Sequence, residues 1–177
     1  MSTSVTPAEI EAAIRNVPDF PKPGIQFKDI TPLLANARLF AGAIDLLTER
    51  FSPGTIDAVV GIDARGFIFA AAAAVKLNAG FIPVRKKGKL PFTTIEQEYA
   101  LEYGNATVAV HTDALKPGAR ILMIDDLLAT GGTSAAAAVL VQKLGGKILE
   151  AGFLIELKFL NGRDKLAGLP VRSLVTY

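Results

Sequence analysis

The run ILMIDDLLATGGTSAAA at residues 121–137 ends four apolar residues on two adjacent carboxylates, Asp125 and Asp126. A turn of small residues follows, Ala129-Thr130-Gly131-Gly132-Thr133, and opens a helical stretch. The glycines permit close approaches that side chains would block, so several N–H groups can converge on one anion at the positive end of the following helix. Thr130 and Thr133 add hydroxyl donors. Two carboxylates beside such a cradle repel a bare polyphosphate but accept hydrogen bonds from sugar hydroxyls, so the combination calls for a sugar phosphate. TGGT alone reads equally well as a strand-to-helix turn capped by Thr. The acid pair decides between the two readings, because adjacent carboxylates at the end of an apolar strand are costly without a partner. There is no GxxxxGK followed by Ser or Thr and no GxGxxG, so P-loop hydrolysis and dinucleotide binding lose support.

A second turn, Gly61-Ile62-Asp63-Ala64-Arg65-Gly66, sets backbone amides beside one Arg fork, a combination suited to pyrophosphate or to an ordinary turn with a solvated Arg. Arg85, Lys86, Lys87 and Lys89 put four cations into five residues. By residue type alone they read as a solvated loop, Glu102 beside Tyr103 as a surface pair, and Phe27 as a core residue.

These turns need a scaffold that brings them to one edge. From Ile56 onward, aliphatic runs at 58–62, 81–84, 120–124 and 148–155 alternate with helical stretches at about 67–77 and 134–144. That alternation predicts an α/β fold, a single domain with a parallel, helix-flanked central sheet. Ligands in such sheets bind beyond the carboxyl ends of the strands, where the acid pair and Arg65 both fall. Upstream, Thr6-Pro7-Ala8-Glu9 reads as a capping box, with Ile10, Ala13, Ile14 and Val17 at helical spacing. Pro18, Pro21, Pro23 and Gly24 end that helix, and a second one is expected around 39–51. Residues 90–104 fit neither period and are expected to form a loop with some extended pairing.

Length and composition narrow the chemistry. The chain has 177 residues, enough for one domain with a real core. Nineteen Lys and Arg against 17 Asp and Glu leave +2, too balanced for a surface that grips nucleic acid. With no Cys there is no disulfide, thiolate zinc site or Cys nucleophile, and the single His, His111, excludes a cluster of His ligands and is assigned no role. The longest apolar run, 67–75, is half of what a bilayer requires, and MSTSVTPAEIEAAIRN lacks the basic and apolar regions of a secretory signal. A cytoplasmic protein with no membrane or nucleic-acid partner is expected.

Apolar residues, two acids, apolar residues and ATGGT resemble the phosphoribosyl-pyrophosphate signature of the type I phosphoribosyltransferases. The rest of the chain is similar to the adenine-using branch of that family: PDFPKPGIQFKDITPLL at 18–34, GIDARGFIFA at 61–70, PVRKKGKLP at 83–91, EYALEYG at 98–104 and DALKPGARILMIDDLLATGGT at 113–133. The resemblance implies one phosphoribosyltransferase domain over 1–177, with an N-terminal hood and base-binding segment at 1–34 and a mobile lid loop at about 85–104. It implies transfer of the 5-phosphoribosyl group from 5-phospho-α-D-ribose 1-diphosphate to adenine, giving AMP and pyrophosphate. Mg2+ would arrive on the diphosphate substrate, with no dedicated protein ligand, and the enzyme would be a homodimer. Asp125 and Asp126 would hold the ribose hydroxyls beside Ala129, Thr130, Gly131, Gly132 and Thr133. Arg65 would lie in the pyrophosphate loop, where related enzymes hold a non-proline cis peptide, here between Asp63 and Ala64. The family commonly has Ser at Ala64, so backbone must supply any contact made by that hydroxyl. Arg85, Lys86 and Lys89 would face phosphate. Phe27 would pack on adenine, with backbone from about Ile25 to Lys28, Gln26 included, reading the ring edge. Glu102 and Tyr103 would belong to the lid, with Glu102 offsetting the developing cation or accepting a purine proton. Rival readings are transfer to another purine, or a regulator that senses the diphosphate and binds nucleic acid.

Overall fold

The computed structural model describes residues 4–100 and 104–177. Helix α1 (Pro7–Ala12) opens on the expected capping box, with the Thr6 hydroxyl accepting from the Glu9 N–H and the Glu9 carboxylate from the Thr6 N–H. It is shorter than its apolar spacing predicts. Val17 lies instead in β1 (Arg15–Pro18), which pairs antiparallel with β2 (Gln26–Asp29) and sets Val17 opposite Phe27. This two-stranded ribbon stands apart from the central sheet, in the segment expected to form the hood. Helices α2 (Thr31–Leu34) and α3 (Ala37–Thr48) lead from it into the sheet.

The central sheet is formed by β3 (Ala58–Ile62), β4 (Gly80–Lys86), β5 (Thr94–Ala100), β6 (Asn105–His111), β7 (Arg120–Leu128), β8 (Lys147–Glu156) and β9 (Val171–Thr176). Their spatial order is β5-β6-β4-β3-β7-β8-β9. The five strands from β4 to β9 run parallel, and β6 is antiparallel to both β4 and β5. Alternate residues feed opposite faces, as a pleated strand requires. Val59, Leu122 and Ile124 join one core with α3 and α4 (Gly66–Leu77), whereas Val60, Ile62, Ile121 and Met123 join the other with α5 (Gly132–Lys143).

Two features go beyond the sequence expectation. The segment expected as a loop with some extended pairing contains all of β5, whose Ile95 and Tyr99 pack on the α5 side of the sheet while Glu96 and Glu98 face solvent. Charged residues on its open face hide the strand from an apolar-run criterion. Strand β7 also does not stop at Ile124. It continues through both acids to Leu128, held by β8 through Leu127↔Ile155 and Leu128↔Glu156.

Connections from β3 and β7 then diverge, α4 leading to β4 on one side and α5 to β8 on the other. That reversal makes the boundary between β3 and β7 the topological switch point, where a crevice opens at the strands' carboxyl ends. The pairing of β3 with β7 ends at Gly61↔Ile124, so Asp125 and Asp126 emerge where their strand loses that neighbour.

Candidate active site

The crevice at the switch point is a cavity of about 250 Å³ lined by Asp63 to Arg65, by Asp125 and Asp126, and by Ala129 to Thr133. The two sugar-and-anion motifs therefore meet in one space. Gly131, at φ +75°, turns the chain from β7 into α5, a helix of 12 residues whose first N–H groups have no partner within the helix. Those donors and the positive end of the helix dipole face the cavity rim.

The acids occupy unlike surroundings. Asp125 lies against the start of α4, where a methyl at Gly66 would strike its Oδ1 and come within 3.2 Å of its Cα, so Gly66 permits this approach. Its Oδ1 also accepts the Asp126 N–H at 2.9 Å. Burial first, and then the charge of Asp126, push the Asp125 carboxyl well above the usual carboxylate range. Asp126 is 6% exposed; burial raises it too, opposed by the charge of Arg65. Arg65 Nη2 stands 2.7 Å from Asp126 Oδ2, yet that oxygen accepts no directed hydrogen bond. The contact is therefore a pairing of charge on a buried carboxylate oxygen.

Arg65 also links the hood to the site. Its guanidinium carbon lies 5.1 Å from the centre of the Phe27 ring, so it bridges Phe27 and Asp126. Phe20 packs edge-on to Phe27 at 5.1 Å. The Gln26 side chain accepts from Asn16 Nδ2 at 2.7 Å across the ribbon, on the strand face opposite Phe27, so Gln26 can reach a base stacked on Phe27 only through its backbone. The Asp63–Ala64 peptide is cis.

The basic run divides into different roles. Arg85 Nε donates to Asp63 at 2.9 Å and its Nη1 to the Lys89 carbonyl at 3.0 Å, tying the Arg65 turn to the end of β4. Lys87 is drawn to Glu96 on β5 at 2.7 Å, away from the cavity-lining residues. Lys86 and Lys89 are exposed beside that turn. Glu102 and Tyr103 lie outside the described residues. Sequence reasoning missed Asp63 as the anchor of Arg85 and Gly66 as the seat of Asp125; both contacts join segments far apart in sequence and leave no local pattern.

A sequence profile described as the phosphoribosyl transferase domain matches residues 29–168. The chain is 54% identical over 173 residues to the adenine phosphoribosyltransferase of Chloroflexus aurantiacus, covering 98% of this chain and 100% of that protein. Among solved structures, it is similar to the adenine phosphoribosyltransferase of Thermoanaerobacter pseudethanolicus, with TM-score 0.93 and 48% identity over 97% of this chain and 100% of that one. The Saccharomyces cerevisiae enzyme, complexed with an imino-altritol bisphosphate and adenine, superposes with TM-score 0.90 at 40% identity over 95% of this chain and 97% of that one.

Proposed function

The chain belongs to the adenine phosphoribosyltransferase family, and from that premise we propose how its own residues carry out the reaction. The enzyme transfers the 5-phosphoribosyl group from 5-phospho-α-D-ribose 1-diphosphate to adenine, giving AMP and pyrophosphate in purine salvage. One observation carries the assignment of roles: Asp125 and Asp126, the latter paired with Arg65 at 2.7 Å, line one cavity with the Ala129–Thr133 cradle and the Arg65 turn.

As the C1′–O bond loosens, positive charge builds on the ribose and negative charge on pyrophosphate. Electrostatic stabilisation then dominates over covalent help. Asp125 and Asp126 accept from the ribose hydroxyls, and Ala129, Thr130, Gly131, Gly132 and Thr133 enclose the 5-phosphate. Arg65, Lys86 and Lys89 take the leaving pyrophosphate, while Arg85 holds the two turns together and adds its charge nearby. Phe27 stacks on adenine, Gln26 backbone reads its edge, and Tyr103 covers the site. Glu102 offsets the ribose cation or accepts the purine proton.

Among the described residues, no three Asp, Glu or His side chains converge as a metal cage. Asp125 and Asp126, beside the anion cradle, fit a Mg2+ ion that would enter bound to the diphosphate substrate rather than be held by the protein alone. Its charge would neutralise the departing pyrophosphate. No described helix is long and apolar enough to cross a membrane. We place the enzyme in the cytoplasm, since its phosphorylated substrate and product do not cross bilayers unaided, and we propose that it works as a homodimer through the apolar outer face of α4.

The test is direct. Purified protein given labelled adenine, the diphosphate substrate and Mg2+ should form AMP and pyrophosphate in equal amounts, with hypoxanthine and guanine as weak competitors. Turnover of hypoxanthine at the adenine rate would overturn the base assignment.

A further inference from the structure

Beyond β8 the chain makes two short 3-10 turns, Lys158–Leu160 and Gly162–Leu166, joined at Asn161 in the left-handed region at φ +52°. Gly162 is buried, and its backbone lies directly against the proposed 5-phosphate loop. A methyl on Gly162 would strike the Ala129 carbonyl oxygen and come within 3.0 Å of the Gly131 nitrogen. Conversely, a methyl on Gly131 would strike the Gly162 carbonyl oxygen. The two glycine backbones thus face each other with no room for a side chain on either.

This turn is itself anchored. Arg163 forks onto the Glu156 carboxylate through Nε at 2.6 Å and Nη2 at 2.7 Å, and Ser173 donates to the same carboxylate at 2.7 Å. A third donor, Arg163 Nη1, holds the Val171 carbonyl at 2.8 Å. Glu156 is 3% exposed and stands opposite Leu128, the last residue of β7 before the loop, while the Leu157 N–H donates to the Leu128 carbonyl at 2.9 Å. Burial of an ion pair alone is weak ground for a role in stability, since the same volume can be filled by apolar residues at little cost. A bidentate fork, however, fixes orientation as well as distance.

We propose that Gly162 is a positioning residue for the phosphoribosyl substrate: its backbone, clamped by the Arg163–Glu156–Ser173 network, forms the back wall of the Ala129–Gly131 loop and keeps the loop N–H groups aimed into the cavity. The proposal rests on the reading of that loop as the 5-phosphate cradle. A cradle made of backbone donors has no side-chain rotamer to absorb an error, so a displacement of a few tenths of an ångström at Ala129 changes every hydrogen bond it makes.

The experiment measures ribose 5-phosphate, Mg2+ pyrophosphate and adenine binding separately by calorimetry on intact variants, with KM and kcat beside them. Gly162→Ala should weaken ribose 5-phosphate about tenfold or more, the scale of a lost charge-assisted hydrogen bond, and raise KM for the diphosphate substrate. Adenine and pyrophosphate should stay within about twofold, below the effect of one hydrogen bond. Arg163→Lys keeps the charge but loses the fork, and should show the same selectivity at smaller size; it decides the matter if Gly162→Ala does not fold. Equal weakening of all three ligands, or unchanged ribose 5-phosphate binding in a folded variant, overturns the proposal. Thr133→Val separates the two levels. If it weakens ribose 5-phosphate while the Gly162 and Arg163 variants do not, the back wall fails and the cradle stands; if none of them does, both fail.

Discussion

At Asp125, burial and the charge of Asp126 act together to raise the carboxyl, which costs stability wherever the carboxylate is ionised in the fold. A carboxyl with a folded-state pKa above its unfolded value does no harm below the unfolded value and costs stability as pH rises through the folded one. Asp125→Asn removes that cost and keeps the acceptor for the Asp126 N–H. In calorimetric scans without substrate it should therefore raise Tm at pH 7.5, by about 2 to 4 °C for each kcal/mol relieved. The gain should disappear near pH 4, close to the ordinary carboxyl value, while kcat/KM falls by about 100-fold or more at pH 7.5. A lowered Tm at pH 7.5 would show that the carboxylate supports the fold. Glu102 carries a different expectation. If it acts as proposed, only as charge develops at C1′, its change to Gln should lower kcat and kcat/KM together, by about 30-fold to 1000-fold, with substrate binding unchanged. Wild-type single-turnover rates in Glu102→Gln would return it to the solvated surface.

Helix α4 and strand β7 meet where one element delivers the Arg65 turn and the other the acid pair, and Gly66 sets how closely they approach. Gly66→Ala must push the helix start from the Asp125 carboxylate and backbone. Overpacking of this kind costs about 1 to 3 kcal/mol, and chemical denaturation should show a loss in that range together with a raised KM for the diphosphate substrate. An unchanged KM would separate the helix start from the site. Contacts of this kind were invisible in the sequence, because Gly66 and Asp125 share no periodicity and meet only once the sheet is ordered. The strands that frame the site were easier to read. AVVGI and ILMI are buried on both faces and stand out as apolar runs, and the turns after them carry their own chemistry in adjacent residues. TIEQEYA and VRSLVT, at the two edges of the sheet, mix polar and apolar positions, so the first shows only as some extended pairing within a loop and the second leaves no strand signal. The pairing of Arg85 with Asp63, against that of Lys87 with Glu96, likewise needed the strand order before four neighbouring cations could be told apart.

At the scale of the whole molecule, the outer face of α4 is an apolar surface left open to water. The helix GFIFAAAAAVKL has no charged residue before Lys76, and a helix apolar all round belongs in an interior. Its inner face packs on the sheet through Phe69, Ala70, Ala73 and Leu77, while Ile68 and Val75 remain 38% and 83% exposed. Ala71 and Ala72 lie between them at helical spacing, and Phe81, 37% exposed, packs edge-on to Phe67 at 5.4 Å. A second copy of the same stripe is a partner of matching chemistry, and a two-fold contact buries both stripes at once. Val75, at the C-terminal end of that stripe, is its most exposed apolar residue and does not line the cavity, so Val75→Glu tests the dimer separately from the site. Two carboxylates forced into an apolar contact without partners cost several kcal/mol, enough to weaken association by about 100-fold or more. Sedimentation of the wild type at micromolar concentration should give a dimer, and that of Val75→Glu a monomer with an unaltered circular dichroism spectrum. A wild-type monomer, or a Val75→Glu dimer of undiminished stability, would leave this apolar face without the proposed partner.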